Sequence, residues 1–282
     1  MPDLTELLRS LEQNSIRLHI AGGADTAPAA TRFGGAPDVP GDFQWPAFTT
    51  ATYDDDRVLP RPLAFLAQFR CADLVPLDRE HLLPETGLLS FFYELGSQRW
   101  GFDPADRGCA RVFWFPETEG LSPAAFPPEL PAEYRLPAMG IALTAEASYP
   151  DAEDFYASRE DRDGGWEPYW EARTALGIED PPESRSRLLG WPDIIQGSFF
   201  QECELTDRGH DLGHGALDLS PEDARAAAEA PEHWRLLFQL GTVTGDGFEL
   251  MFGDCGRVYF CIRREDLAAR RFHRVWLILQ CG

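Results

Sequence analysis

The 282-residue chain contains no lysine: its 25 basic side chains are all arginine, and they face 47 acids for a formal net charge of −22. That absence removes whole chemistries. No Schiff base to pyridoxal phosphate or to a carbonyl substrate can form, and no Walker-A phosphate loop can be built without its lysine. The charge balance also opposes nucleic acid, whose phosphate backbone selects a basic footprint, so no nucleic-acid partner is expected. An acidic surface favours solubility and attracts cations, which makes a basic protein the electrostatically natural partner.

Long apolar runs are missing too. Nothing approaches the ~20 residues a membrane helix needs, so no membrane partner is expected. The opening MPDLTELLRSLEQNS carries neither the basic region nor the continuous apolar stretch of a signal peptide, and a cytoplasmic location follows as the expectation. The six cysteines, Cys71, Cys109, Cys203, Cys255, Cys261 and Cys281, are scattered with no CxxC pair. They read as reduced, mostly buried thiols rather than staples or zinc ligands. GxSxG, GxGxxG and kinase signatures are absent, while a Ser/His/Asp triad assembled by the fold stays open. No cofactor is expected, and the sequence sets no oligomeric state.

What is present is β grammar. Leu4, Leu7, Leu8 and Leu11 first mark a short amphipathic helix with Asp3 placed to cap it. A Gly, Ala and Pro-dense extended segment follows. The runs PLAFLAQF (62–69), GLLSFFYEL (87–95), ARVFWF (110–115) and MGIALTAEA (139–147) are short, apolar and divided by Pro, Gly and Asp, as strands are. A polar, acidic stretch (148–187) reads as a connector with a helix or two around its Tyr and Trp residues. Strand-like runs resume at SFFQECEL (198–205), RLLFQL (235–240), FELMFG (248–253), RVYFCI (257–262) and RVWLIL (274–279). Helices are expected from SPEDARAAAEA (220–230), with Ser220 as N-cap and Pro221 at the first helical position, and from REDLAARRF (264–272).

The halves echo one another. Gly35-Ala36-Pro37-Asp38 precedes FLAQF, with Gln68, and later Gly87; Gly190-Trp191-Pro192-Asp193 precedes LLFQL, with Gln239, and later Gly256. Glu85 and Asp254 stand two residues before those glycines, and Phe91 aligns with Phe260. The repeated step is a turn: Gly admits an unusual φ, Pro fixes its own, and Asp can accept from backbone N–H groups two residues on. The fold class expected is mainly β (α+β), a β roll of two similar β units with peripheral helices. The whole chain, 1–282, reads as one domain whose halves, about 33–147 and 188–281, are joined by the acidic connector.

The ordered motifs FGGAPDVPGDFQWP, LAFLAQF, LPETGLLSFFY, WGFDP, LLGWPDIIQG, WRLLFQL, FGDCGRVYF and VWLILQC resemble the YwqG-like family of bacterial proteins of unknown function, from about residue 33 to the C-terminus. The resemblance implies a mainly β roll with peripheral helices and carries no reaction. The stretch TDRGHDLGHGALDLS (206–220) matches none of the family motifs.

Several side chains are candidates for function. Gln68 and Gln239 lie inside apolar runs, where an amide must find hydrogen bonds; they either clamp neighbouring backbone or line a pseudo-symmetric cleft, which Gln196 could join. Asp38 and Asp193 belong to the repeated turns. Trp45, Trp100, Phe102 and Trp191 adjoin Gly or Pro and read as binding anchors or as plugs at the ends of the roll. His210 and His214 have a helical ligand spacing, but Gly209 and Gly213 argue against a helix, and no metal site is expected. Asp103 and Asp106 fit a capped turn better than a catalytic pair. These features favour a non-enzymatic module that binds a protein or peptide through an acidic surface, an antagonist of a basic toxin being one instance. The rival is a small-molecule binder or hydrolase using a cleft between the repeats.

Overall fold

The computed structural model describes residues 3–25, 27–157, 166–182, 184–213 and 217–282. Ten strands form one antiparallel sheet: β1 (Gln13–Ala21), β2 (Arg32–Phe33), β3 (Ala64–Arg70), β4 (Leu88–Tyr93), β5 (Ala110–Phe115), β6 (Met139–Ser148), β7 (Ser186–Leu188), β8 (Trp234–Leu240), β9 (Arg257–Arg263) and β10 (Trp276–Gln280). Their spatial order is β10-β9-β8-β7-β1-β6-β2-β3-β4-β5. The order is a palindrome about β1 and β6. On one side β6 leads through β2, β3 and β4 to β5; on the other β1 leads through β7, β8 and β9 to β10.

The registers repeat as well as the order. Arg32 stands opposite Gln68 and Arg187 opposite Gln239. Each glutamine strand carries one bulge, between Phe65 and Ala67 in β3 and between Leu236 and Phe238 in β8. Beyond it Phe91 pairs with Ala67 and Phe260 with Phe238. A bulge bends its strand and sharpens the local twist, so a matched pair curls both arms of the sheet alike.

The curl brings the arms together. Phe91 lies 4.6 Å from Phe238 and 5.3 Å from Phe260, ring centre to ring centre, so residues of both halves share one interior. Near the β10 edge, the segment after β4 closes the gap: Leu279 N–H donates to Trp100 O (3.0 Å) and Trp276 Nε1 to Gly101 O (2.9 Å). The outer faces are covered differently. Leu63, Phe65 and Phe92 lie beneath Phe43, Trp45 and Phe48, whereas Tyr259, Cys261, Trp276 and Ile278 lie beneath Phe199, Phe200 and Cys203. Covering both faces is why β4 and β9 read as nearly unbroken apolar runs rather than alternating ones.

Seven α-helices lie among the described residues: α1 (Leu4–Ser10), α2 (Cys71–Leu74), α3 (Ala152–Ala157), α4 (Glu167–Ala175), α5 (Phe200–Asp207), α6 (Pro221–His233) and α7 (Arg264–Ala268). Asp3 caps α1 by accepting from Thr5 N–H, and Ser220 caps α6 by accepting from Asp223 N–H, as the sequence implies. One strand expectation is overturned: SFFQECEL becomes α5. As a helix it puts Phe200, Cys203, Glu204 and Asp207 on one face, and Glu204 then accepts from Trp234 Nε1 (2.8 Å) and pairs with Arg263 (2.6 Å). A strand would point Cys203 and Glu204 to opposite sides and leave that buried carboxylate unpaired. No helix among the described residues is long and apolar enough to cross a membrane.

Candidate functional site

The four candidates Asp38, Gln68, Asp193 and Gln239 form two copies of one hydrogen-bonded clamp. In the first, Gln68 Oε1 accepts from Asp38 N–H (2.9 Å) while its Nε2 donates to Asp38 Oδ2 (2.7 Å) and Ala30 O (2.9 Å). Arg32 donates to the same Asp38 oxygen (2.7 Å) and to Ala36 O. In the second, Gln239 Oε1 accepts from Asp193 N–H (2.9 Å) while Nε2 donates to Asp193 Oδ2 (2.8 Å) and Arg185 O (3.0 Å). Arg187 donates to Asp193 Oδ1 (3.1 Å) and Trp191 O (3.0 Å).

The repeated turn exists to deliver that aspartate. Gly35 and Gly190 hold φ of +70° and +77°, the left-handed region where a side chain is strained, and a Cβ on Gly190 would strike Ser15 and Ser148. The aspartates do not cap their own turn two residues on, as the turn chemistry suggested. They reach back to the Arg and Gln of neighbouring strands because burial leaves a carboxylate stable only where several donors converge. Both glutamines are fully buried, and four strands separate β3 from β8 in the sheet, so each amide completes its own clamp.

The other candidates are spread out. Gln196 is exposed; its backbone N–H, with that of Ile195, donates to Gln280 Oε1, and Gln280 Nε2 donates to Gly197 O (2.9 Å). Gln280, buried at the end of β10, is thus a third clamping glutamine that sequence reasoning passed over. Trp45 donates to Leu63 O (2.9 Å) and Trp191 to Leu11 O (2.7 Å). Trp100 and Phe102 pack on the two core clusters as partly buried rings. Asp103 accepts from Ala105 N–H and Asp106 from Gly101 N–H, so both carboxylates serve turns. His210 sits 3.3 Å from Asp223, while His214 lies outside the described residues. Among the described residues no three His, Cys, Asp or Glu side chains gather as a metal site would require.

An acid-lined groove lies elsewhere, at a hairpin of Ala47–Thr50 and Leu59–Pro62. Its loop packs beside the 129–134 segment around a groove of about 180 Å³, lined by Asp54, Asp55, Glu94, Glu129, Glu133 and Tyr134 with one base, Arg61. Arg61 is committed to Asp55 (2.8 Å), which Arg57 also binds (2.9 Å), and these guanidiniums hold the Asp55 carboxyl well below the usual carboxylate range. Asp54, Glu129 and Glu133 form no ion pair among the described residues, while Glu94 is buried and accepts from Gly96 N–H (2.9 Å) and Ser97 N–H (2.8 Å). Burial, followed by the negative field of Glu133, Glu94 and Asp54, pushes the Tyr134 phenol up. At the loop, Tyr53 and Val58 stand 72% and 66% exposed, large apolar side chains beside uncompensated acids. The only sequence signal for this site was the loop TYDDDRV itself: three consecutive aspartates between Tyr53 and the Arg57-Val58 pair.

A scan against protein families matches residues 31–281 to the family described as Domain of unknown function (DUF1963). The chain belongs to that family. The match spans the Asp, Gln and Arg side chains of both clamps and the acidic groove, and begins after β1. No curated protein matches the chain.

Proposed function

We propose that this DUF1963 protein is a non-enzymatic binding module whose acid-lined groove receives a basic segment of a protein partner. The observation that carries the reading is the groove at the hairpin, where carboxylates without ion pairs line a concavity and Tyr53 and Val58 stand exposed in the same hairpin loop. Carboxylates that lack an internal cation attract an external one, and a neighbouring rigid aromatic supplies contact area at small entropic cost. The net charge of −22 adds long-range attraction toward the same class of partner. An antagonist that covers the cationic surface of a toxin, as immunity proteins do, is one biological form of such a module.

The test is fluorescence anisotropy with a labelled arginine-rich decapeptide, titrated at low and high salt. Binding weakened roughly tenfold by Glu129→Gln/Glu133→Gln, and by Tyr53→Ser with little change in salt dependence, supports the groove. Equal binding by all three proteins places the interaction elsewhere and overturns it. A salt-washed pull-down compared between the wild type and the double variant extends the test to natural partners: the informative protein is one held by the first and lost by the second.

A further inference from the structure

The two arms, superposed through their clamps, show what the fold requires and what it does not. Arg32 corresponds to Arg187, so their sheet partners Gly140 and Arg17 correspond. Ala142 and His19 then follow one strand step of two further on, and the apolar residues between them agree: Ile141 with Leu18, Leu143 with Ile20. Ala30 corresponds to Arg185, because their carbonyls receive the equivalent glutamine bonds. Arg70 corresponds to Gly241, because their N–H groups donate to the equivalent hydroxyls of Thr31 and Ser186.

The second arm therefore carries Arg17, His19 and Arg185 where the first builds the same strands and turn from Gly140, Ala142 and Ala30. The first arm also has Arg70, whose guanidinium donates to Ala29 O (3.2 Å) and Pro28 O (2.9 Å); the second has only the hydrogen of Gly241. The outcome is a cavity of about 260 Å³ lined by Arg17, His19, Ser184, Arg185, Thr242 and Thr244, with Leu18, Ile20 and Val243, and no carboxylate among its lining residues. Arg185 Nε and Thr242 Oγ1 are buried there without a hydrogen-bond partner. Each guanidinium has one long ion pair to a carboxylate outside the lining, 4.0 Å from Arg17 to Glu146 and 3.6 Å from Arg185 to Asp193, and His19 Nε2 lies 3.1 Å from Thr144 Oγ1.

We infer that this cavity binds a phosphate group of a small molecule. Two guanidiniums, an imidazole and three hydroxyls line the cavity and supply the kinds of donor that a tetrahedral oxyanion accepts. In a chain of net charge −22, three basic side chains around an acid-free cavity run against the composition, and the first arm shows that the sheet does not need them. The site is separate from the acidic groove and does not rest on it.

Inorganic phosphate is the probe, added to the full chain and followed by isothermal titration and by the shift in thermal unfolding, with chloride at matched ionic strength as reference. Phosphate binding to the wild type, weakened roughly tenfold or more by Arg185→Ala and also reduced by His19→Ala, is the expected result. Both substitutions install the residue that the first arm carries, so the fold tolerates them. Gly241→Arg, which restores the first arm's filling side chain, is expected to abolish binding without lowering the melting temperature. Wild type indifferent to phosphate, or variants that bind it as well as the wild type, would overturn the inference. So would citrate binding where phosphate fails, since the cavity would then select carboxylates.

Discussion

Removing one carboxylate from each clamp tests the energetic logic of the fold, because the two clamps differ in how the charge of the buried arginine is compensated. Asp38 and Arg32 are 1% and 7% exposed at their side chains, and Asp38 is the only carboxylate paired with Arg32 among the described residues. Asp38→Ala therefore strands a buried guanidinium, removes one of the two acceptors of Gln68 Nε2 and leaves Ala29 N–H without its 2.9 Å acceptor. Breaking a buried ion pair on one side costs about 3–5 kcal/mol. In the second clamp Arg187 has a reserve partner, Glu146 at 3.4 Å, while Arg185 loses its 3.6 Å partner, so Asp193→Ala leaves the Arg187 charge compensated and the loss falls to about 1–3 kcal/mol, the cost of unmade hydrogen bonds and one long ion pair. Guanidinium denaturation followed by tryptophan fluorescence reads both, and at roughly 2 °C per kcal/mol the melting temperature should drop by about 6–10 °C for Asp38→Ala. Arg32→Met added to Asp38→Ala should recover more than half of the loss, since no charge is then left buried. Equal costs for the two alanine variants, or a double variant no better than Asp38→Ala alone, would refute the reasoning.

Three further outcomes follow from burial. Asp154 is buried with Oδ2 unpartnered, and burial pushes its carboxyl up to about 7 from 3.8, so the folded state keeps a proton that the unfolded chain releases. Stability is then lost as pH rises through that window and the penalty is complete above about 7; Asp154→Asn should match wild type near pH 4 and exceed it at pH 8, by something on the order of 4 kcal/mol at most, in denaturation midpoints. Cys255 is the half-buried thiol while the other five are buried, with burial pushing Cys71 up to about 12, so a thiol reagent should modify Cys255 first and the rest only at the rate of unfolding. Gln280→Leu unties Ile195, Gln196 and Gly197 at once; it should cost about 2 kcal/mol or more and expose the 194–198 loop to limited proteolysis, whereas an unchanged cleavage rate would show that the loop is held by other contacts.

How much was legible depended on which force wrote each segment. The long strands β3, β4, β8 and β9 were visible because they are buried on both faces and must be apolar throughout. The pairing of Asp38 with Gln68, and of Asp193 with Gln239, could be anticipated as a recurring order but not as a bond, since the partners lie 30 and 46 residues apart in sequence. The axial strand β1 escaped: Arg17 and His19 interrupt Ile16, Leu18 and Ile20, and the alternation in QNSIRLHIA is a half-buried pattern lost among polar neighbours. The Arg32 and Arg187 of the clamps were equally invisible, because an arginine in a two- or three-residue strand looks like a surface charge until its carboxylate is found. α5 was misread for a related reason, since Phe, Phe and Cys in eight residues satisfy both periods and only the burial of Glu204 decides between them.

A chain that builds one scaffold twice supplies its own control for separating structure from function. Where the arms agree, at Arg32 and Arg187, Asp38 and Asp193, Gln68 and Gln239, the residue answers a demand of the sheet, and deep burial with every amide atom bonded accounts for it. Where they differ at matched backbone, the difference is not required for folding. Arg70 against Gly241, and Ala30 against Arg185, are such differences, and they convert a filled corner into a basic cavity. The hairpin at 47–62 is another, because the second arm covers the matching outer face with α5 and α6 instead. Each arm thus carries one departure from the shared plan, an acidic groove on the first and a basic cavity on the second. Substitutions confined to those departures should change binding while leaving the clamps, and therefore the stability measured by denaturation, close to that of the parent chain.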